Sequence, residues 1–315
     1  MIQKPNYSTT EHLPLPLLTS KPSYILLRTF LERLLPSLPS WTSSLPSDQQ
    51  KNFVDPVPWL SRLIATPLPW LTADEAEEVI SLASKNIALR AGRSALPDIT
   101  RSFMVERRQI SLFEPGWTGD ALGHKTWGTS LLLARRMSLL DELSQSPYLK
   151  CRGTAVRCLG LGEGTGLVGI AAAKIREWRM LLTDLPEITE NLTRNVENND
   201  CGGNVEVKAL DWMDPPGEEE IPISYFEVII ASDLFYDAHH PQLVVKMMER
   251  YLKQDPHSRI IVEYPLRPMY QEEISDFQLR MLGSFEIENT GEETGRDDWD
   301  IDVHCRWAIY KLKFP

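Results

Sequence analysis

The sequence contains no apolar run that approaches the ~18 residues needed to span a membrane, and no charged-then-apolar leader opens it. Its four cysteines, Cys151, Cys158, Cys201 and Cys305, show no C-x-x-C spacing, so neither a zinc site nor a disulfide framework is indicated. Cys158 lies in an apolar run and is expected to be a buried, inert thiol. We therefore expect a cytoplasmic protein with no membrane segment and no bound metal.

Positive charge is also scarce. Lys and Arg number 33 against 44 Asp and Glu, which gives a formal net charge of −11 and a pI of about 5.1. Nucleic-acid binding normally depends on Lys and Arg that neutralise phosphates, so direct nucleic-acid binding is disfavoured. A negative surface instead favours attraction to a basic protein.

Glycine is missing from the first part of the chain. The first glycine is Gly92, whereas 11 of the 23 prolines precede residue 70. This composition predicts short helices separated by proline stops, and we assign residues 1–100 to a helical N-terminal module. Thr72 followed by Glu75 is a capping box that predicts a helix through about Arg90. The module either covers the sheet of the following domain, which we favour, or docks a protein partner.

Residues 156–169, Val-Arg-Cys-Leu-Gly-Leu-Gly-Glu-Gly-Thr-Gly-Leu-Val-Gly, form the most informative stretch. An apolar segment predicts a buried strand, Gly162, Gly164 and Gly166 follow, and an alanine-rich segment then predicts a helix. A glycine turn between a strand and a helix is typical of a site for a nucleoside-containing cofactor. The alternative is a glycine turn without a ligand.

A second strand, 179–183, ends at Asp184, 20 positions after Gly164. A carboxylate at that strand end can accept hydrogen bonds from both ribose hydroxyls. Such an acid serves NAD, FAD and S-adenosylmethionine alike. A dinucleotide site would have its third glycine at position 167, which is Leu167, so the spacing favours S-adenosylmethionine.

The remaining sequence alternates predicted strands and helices: a strand or hairpin at 101–115, a loop at 118–128, helices at 129–143, 187–198, 241–252 and 269–282, and strands at 205–210, 226–232, 259–263, 285–288 and 303–312. This alternation predicts an α/β fold, a Rossmann-like doubly wound parallel sheet with an antiparallel edge, over residues 101–315. Ligand-binding residues should gather at the carboxyl ends of its strands, where Gly162, Asp184, Trp212 and Asp233 lie. Trp127, just before a helix, could contact a cofactor or anchor a loop in the core.

Several motifs together resemble a known family: Gly-Glu-Gly-Thr-Gly-Leu-Val-Gly at 162–169, Thr-Asp-Leu-Pro at 183–186, Asp-Trp at 211–212 and Ser-Asp-Leu-Phe-Tyr at 232–236. They resemble the seven-stranded, S-adenosylmethionine-dependent protein-lysine methyltransferases of methyltransferase family 16. With Leu-Gly-His-Lys-Thr-Trp-Gly at 122–128, the likeness is greatest to the fungal branch that methylates a lysine of translation elongation factor 2. The likeness covers residues 101–315, and it implies a class I methyltransferase fold.

The resemblance also implies a role for each motif residue. Trp127 would contact the methionine part of the cofactor, and the turn of Gly162, Glu163 and Gly164 would pass beneath it. Asp184 would hold the ribose, Trp212 would flank the adenine, and Ser232 would line the pocket. Asp233 and Tyr236 match the acidic-x-x-Tyr signature beside the incoming lysine. The sequence departs from the family pattern at Gly160, where the family usually has Glu or Asp. The absence of a carboxylate at this position predicts weaker cofactor binding or an inactive protein.

Other interpretations stay open at this point. Methylation of RNA or of a small molecule is a second enzymatic hypothesis, and a non-catalytic binding protein that keeps the fold is a third. His239 and His240 lack a third ligand at metal spacing and are expected to open a helix. The acidic stretch 286–302 is either a solvated loop or a contact for a basic protein substrate.

Overall fold

The computed structural model describes residues 15–35, 55–90, 97–116, 122–201, 203–296 and 302–313. The chain divides into two compact units. Described residues through 97 belong to the first unit, and those from 98 onward belong to the second. None of the helices described in either unit is both long enough and apolar enough to cross a membrane.

The described part of the first unit is helical, with elements α1 (Tyr24–Leu34), α2 (Val57–Ala65) and α3 (Ala73–Ala88). The predicted capping box is present at the start of α3. The Glu75 N–H donates to Oγ1 of Thr72 at 3.3 Å, and the Thr72 N–H donates to the Glu75 carboxylate at 2.9 Å. The three helices share a hydrophobic core, in which the rings of Phe30 and Trp59 meet edge to face at 5.3 Å. These helices therefore bury their apolar faces against one another.

The strands described in the second unit are β1 (Ile99–Val105), β2 (Arg108–Glu114), β3 (Arg157–Leu161), β4 (Arg179–Asp184), β5 (Val205–Ala209), β6 (Val228–Ser232), β7 (Arg259–Pro265), β8 (Phe285–Arg296) and β9 (Asp302–Leu312). Seven of them form one sheet in the order β5-β4-β3-β6-β7-β9-β8. The first five of that order run parallel, and β9 and β8 pair antiparallel at one edge. The predicted doubly wound, seven-stranded sheet with an antiparallel edge is confirmed.

The helices described in this unit are α4 (Gly128–Arg136), α5 (Leu140–Leu143), α6 (Pro147–Lys150), α7 (Leu167–Arg176), α8 (Pro186–Glu197), α9 (His240–Tyr251) and α10 (Gln271–Ser284). They cover both faces of the sheet. In β3, Cys158 packs with side chains of α4, α7 and α8, whereas Leu159 and Leu161 pack with those of α9 and α10. Successive residues of a strand face opposite sides of the sheet. A strand with helices on both sides of the sheet therefore needs apolar residues at nearly every position, and β6 has this pattern.

The last hairpin is longer than the sequence pattern indicates. The prediction placed a strand only at 285–288, but β8 continues to Arg296 and pairs with β9 along its length. A shift in register between Ile287 and Asn289 marks a bulge. An edge strand with one exposed face does not need apolar residues, so its hydrophobic periodicity is weak. Much of the stretch expected to be a loop is therefore strand.

A two-stranded hairpin of β1 and β2 lies outside the main sheet and is held by two asparagines, Asn195 in α8 and Asn199 in the turn that follows it. Asn195 accepts from the Phe113 N–H at 2.7 Å and donates to the Phe113 carbonyl at 3.1 Å. Asn199 does the same for Ser111, at 2.9 and 2.7 Å. Residues four apart lie on one face of a helix, so these amides pair with one edge of β2 as a neighbouring strand would.

Replacing Asn195 should destabilise the protein. Its side chain is fully buried and also donates to the Thr165 carbonyl in the glycine turn at 3.0 Å. Asn195→Ala leaves buried backbone groups of Phe113 with fewer partners, so the free energy of unfolding should fall by about 2–3 kcal/mol in denaturant titrations. The exposed Asn198, which directly follows α8, is the matched control, and Asn198→Ala should cost no more than about 0.5 kcal/mol. Equal losses for the two variants would contradict this role.

Candidate active site

The turn between β3 and α7 adopts a conformation that glycine permits. Gly162 has φ +62° and Gly164 has φ +57°, both in the left-handed region. A Cβ on Gly162 would lie 3.3 Å from the Trp212 ring and 3.1 Å from Leu234, so a side chain there would fill the space beside the indole. A Cβ on Gly164 would lie 2.9 Å from the carbonyl oxygen of Gly123. The bare backbone of this turn therefore forms a cradle that a larger residue would close.

Asp184 lies at the carboxyl end of β4, as predicted, and its carboxylate is fixed beside the turn. Oδ2 accepts from the Gly164 N–H at 2.7 Å, and Oδ1 accepts from the Leu185 N–H at 2.8 Å. Burial raises the pKa of Asp184 above its ordinary value, while the two backbone donors act in the opposite direction. The acid and the glycine turn thus form one rigid unit, which suits recognition of a ribose next to a tight backbone approach.

The upstream motif packs against this unit. Besides the Gly123 contact with Gly164, Oγ1 of Thr126 lies 2.8 Å from Oγ1 of Thr165 in the turn. Trp127 follows directly and caps α4, whose first residue is Gly128. The structure therefore places Trp127 at the start of a helix, directly after a residue that contacts the glycine turn.

Three aromatic rings form a row at the strand ends. Trp212, after β5, lies next to the turn and meets His240 edge to face at 5.7 Å. His240 in turn meets Tyr236 at 4.5 Å, and its Nδ1 lies 2.9 Å from the Leu234 carbonyl oxygen. As predicted, His240 opens a helix, α9. Its place between the two predicted site aromatics was not predicted, because two adjacent histidines before a helix give no signal of ring contact.

Tyr236 lies near the carboxylates of Asp184 and Asp233. Partial burial, together with Asp184 and Asp233, raises the pKa of Tyr236 to about 12, so its hydroxyl stays protonated at neutral pH. With 42% of its surface exposed, Tyr236 is accessible to an incoming side chain.

Ser232 is the last residue of β6, and Asp233 follows it directly. Oγ of Ser232 lies 3.1 Å from Oγ of Ser130 on α4. Asp233 has φ +53°, an uncommon conformation for a residue other than glycine that is found at functional sites. Its Oδ2 accepts from Thr129 at 3.3 Å and from Arg267 at 3.2 Å. The acid is thus held by α4 and by the segment after β7, and Arg267 is a neighbour that sequence reasoning missed.

The space beside Gly160 is occupied by a carboxylate. A Cβ at position 160 would overlap the Glu163 side chain, lying 2.7 Å from its Cδ, because Glu163 folds back from the turn. Its Oε2 accepts from the Gly169 N–H at 3.0 Å. Burial raises the pKa of Glu163 to about 8, with the Gly169 N–H opposing and Asp184 adding to the shift. Residue 163 therefore supplies the acidic group that the sequence lacks at position 160.

The acidic stretch is largely paired within the protein. Within its described residues, Glu286, Glu288, Glu292 and Glu293 form ion pairs with Lys311, Arg259, Arg306 and Arg136, respectively. These carboxylates are balanced by local bases, which favours a structural interpretation over a free acidic surface. The remaining acids of the predicted contact, Asp297, Asp298 and Asp300, lie outside the described residues.

The described residues contain no cluster of three or more His, Cys, Asp or Glu side chains arranged to hold a metal ion. Cys158 is fully buried in the sheet, and burial raises the pKa of its thiol well above the ordinary value. An inert thiol, as predicted, is the consequence.

Comparison with known proteins identifies the family. Residues 106–281 match the profile of the lysine methyltransferase family. This chain belongs to that family. It is 36% identical over 313 residues to the protein-lysine N-methyltransferase rrg1 of Schizosaccharomyces pombe, a match that covers 96% of this chain and 98% of that protein.

A second fungal relative of this lysine methyltransferase is the protein-lysine N-methyltransferase EFM2 of Saccharomyces cerevisiae. The two are 32% identical over 251 residues, covering 73% of this chain and 58% of EFM2. A mouse protein, EEF1A lysine methyltransferase 3, is 30% identical over 144 residues, covering 41% of this chain and 59% of its own. The resemblance drawn from the motifs is therefore confirmed: the protein is a protein-lysine N-methyltransferase, and S-adenosylmethionine is its methyl donor.

Exchanging the residues at positions 160 and 163 tests the shared carboxylate. Glu163→Ala should weaken S-adenosylmethionine binding about tenfold by calorimetry, since it removes an acidic group that is bonded to the Gly169 N–H and that would ionise next to a cationic ligand. Gly160→Glu alone should lower the melting temperature, because two acids would compete for one space. Combining Gly160→Glu with Glu163→Ala returns one acid to that space, so the affinity of this double variant for S-adenosylmethionine should lie within about threefold of that of the unmodified protein. Strictly additive losses in the double variant would show that the two positions are independent.

Proposed function

We propose that this lysine methyltransferase modifies a lysine of translation elongation factor 2, with the cofactor held over the glycine turn and the lysine brought to Asp233 and Tyr236. The observation that supports it is the gathering of two residue sets at one edge of the sheet. Gly162, Asp184 and Trp212 line one side, and Asp233 and Tyr236 follow the adjacent β6. The carboxyl ends of parallel strands are where ligands bind in such sheets.

The choice of elongation factor 2 has a more local support. The two segments that most resemble the fungal branch are 122–128 and 183–188, and they touch in the folded protein. A Cβ on Gly123 would lie 3.0 Å from Ile188, and the Gly123 carbonyl oxygen packs against Gly164. The segments that suggest the substrate therefore belong to one structural unit of the cleft. A cytoplasmic location goes with that substrate and is part of the proposal.

Different residues of the site bind different parts of the cofactor. Asp184 accepts hydrogen bonds from the ribose, Trp212 flanks the adenine, and the backbone at Gly162 and Gly164 permits close approach. Trp127 contacts the methionine part, Glu163 places a carboxylate beneath it, and Ser232 lines the wall. When bound, the cofactor supplies a methyl group on a positively charged sulfur. The Asp184 carboxylate beside the turn contributes to a field that matches this charge.

The substrate lysine has to lose a proton and be aligned before it can accept the methyl group. Free lysine has a pKa of ~10.4, so at neutral pH it is charged and has no lone pair for attack. Asp233 accepts a hydrogen bond from the amine, and the hydroxyl and ring of Tyr236 fix the nitrogen in line with the methyl group. The first proton leaves to water before transfer. Alignment is the main contribution of these side chains.

The substrate is tested with two purified elongation factors. Incubation with radiolabelled cofactor, followed by mass spectrometry, should show methyl groups on a lysine of elongation factor 2 and none on elongation factor 1A. Methylation of elongation factor 1A alone would replace the proposed substrate while leaving the lysine chemistry intact. Label in RNA or in small molecules, with none in protein, would contradict the proposal as a whole.

Removing the carboxylate of Asp184 should affect cofactor binding. Asp184→Ala removes the acceptor for the ribose and frees the Gly164 N–H, so calorimetry should show a loss of affinity of at least about tenfold. Glu190 is an exposed acid on α8, and Glu190→Ala is the control for loss of charge. Unchanged affinity in Asp184→Ala would remove this residue from the ribose site.

Changes at the lysine end should separate transfer from binding. Asp233→Asn retains a residue that tolerates positive φ, and Tyr236→Phe retains the ring. Each should lower kcat by about 100-fold while calorimetry shows nearly normal cofactor affinity. A normal kcat in Asp233→Asn would show that its charge and acceptor geometry play no part in transfer.

A further inference from the structure

Arg267 is a cation at the edge of the sheet where the site lies, and none of the sequence motifs includes it. It follows β7 by two residues, and its Nη2 lies 3.2 Å from Oδ2 of Asp233. Its guanidinium carbon also lies 5.3 Å from the ring centroid of Trp127. One side chain thus contacts a residue proposed to receive the lysine and a residue proposed to receive the cofactor.

This contact changes the charge that a substrate amine would meet. A carboxylate without a cationic neighbour stabilises an ammonium and raises its pKa, which opposes methyl transfer because transfer needs the neutral amine. With Arg267 beside it, the Asp233 carboxylate retains acceptor oxygens while much of its field is cancelled. The side chain of Asp233 is only 7% exposed, so solvent screens this interaction weakly.

Charged and titratable groups surround Asp233 on each neighbouring element. On the side of β7 they are Arg267, Glu263 with its partner Arg136 of α4, Glu293 of β8 and Cys305 of β9. At the strand ends they are Tyr236, Asp237 and Asp184. Arg136 is paired with both Glu263 and Glu293. Arg267, by contrast, forms its ion pair directly with Asp233.

We propose that Arg267 is a positioning residue for methyl transfer: by pairing with Asp233 it cancels the field that would keep the substrate lysine protonated, and it holds the carboxylate as a neutral-amine acceptor. This role rests on the proposed function. In the transfer step, the amine has already lost one proton to water and its lone pair forms the new N–C bond. The C–S bond breaks, its electron pair stays on sulfur, and the methylated amine carries the positive charge.

The test is the pH dependence of kcat at saturating protein substrate. In Arg267→Gln, uncancelled charge on Asp233 should raise the pH of half-maximal rate by about one unit, so kcat at pH 7 should fall about tenfold while KM stays level or falls. Arg267→Lys keeps the charge and should stay within about half a unit of the unmodified enzyme. Arg280→Gln, an exposed arginine on α10 paired with Asp276, is the matched control.

A double variant separates charge cancellation from a structural role. Arg267→Gln combined with Asp233→Asn removes both charges, so the pH midpoint should return toward its original value even though kcat remains low. A purely structural role predicts lower rates with an unmoved midpoint in every variant, and that result would overturn the proposal. If the unmodified protein methylates lysine, and the pH profile of kcat for Arg267→Gln superimposes on that of the unmodified protein after scaling to the same maximum, only the role of Arg267 is wrong. If it methylates no lysine in any protein, the proposed function fails and this role fails with it.

Discussion

The hydrogen bond from the Gly164 N–H to Oδ2 of Asp184, 2.7 Å long, is the contact on which the site depends. It forms only if β3 and β4 lie side by side and parallel, and only if the turn takes up the left-handed conformation that glycine allows. The same turn leaves room for Trp212 and receives Gly123 from the upstream segment. Sheet order, turn geometry and side-chain placement are thus linked through one backbone donor.

Features with a strong local signal could be predicted from the sequence. The strand-glycine-helix pattern around Gly162 and the capping box at Thr72 both depend on residues close in the chain, and the structure has both. The doubly wound sheet with an antiparallel edge followed from the alternation of elements, because parallel crossovers have few alternatives. The roles of the individual site residues remain proposals, although the strand ends do bring them to one edge.

What the sequence did not reveal depends on contacts between distant residues. The amides of Asn195 and Asn199 have no apolar periodicity, so their pairing with β2 gives no pattern along the chain. The position of the Glu163 carboxylate beside Gly160 follows from a side-chain rotamer that spacing cannot specify. Arg267 reaches Asp233 from 34 positions away, and only the folded sheet brings the two together.

The asparagine pairing has a consequence for the exposed backbone of the small hairpin. An open strand edge offers a row of amide and carbonyl groups to which a second polypeptide can add, and this is a common route to aggregation. On β2 that row is already engaged at Ser111 and Phe113 by the side chains of Asn199 and Asn195, respectively. This edge of β2 is therefore protected against strand addition by an intramolecular substitute for a partner strand.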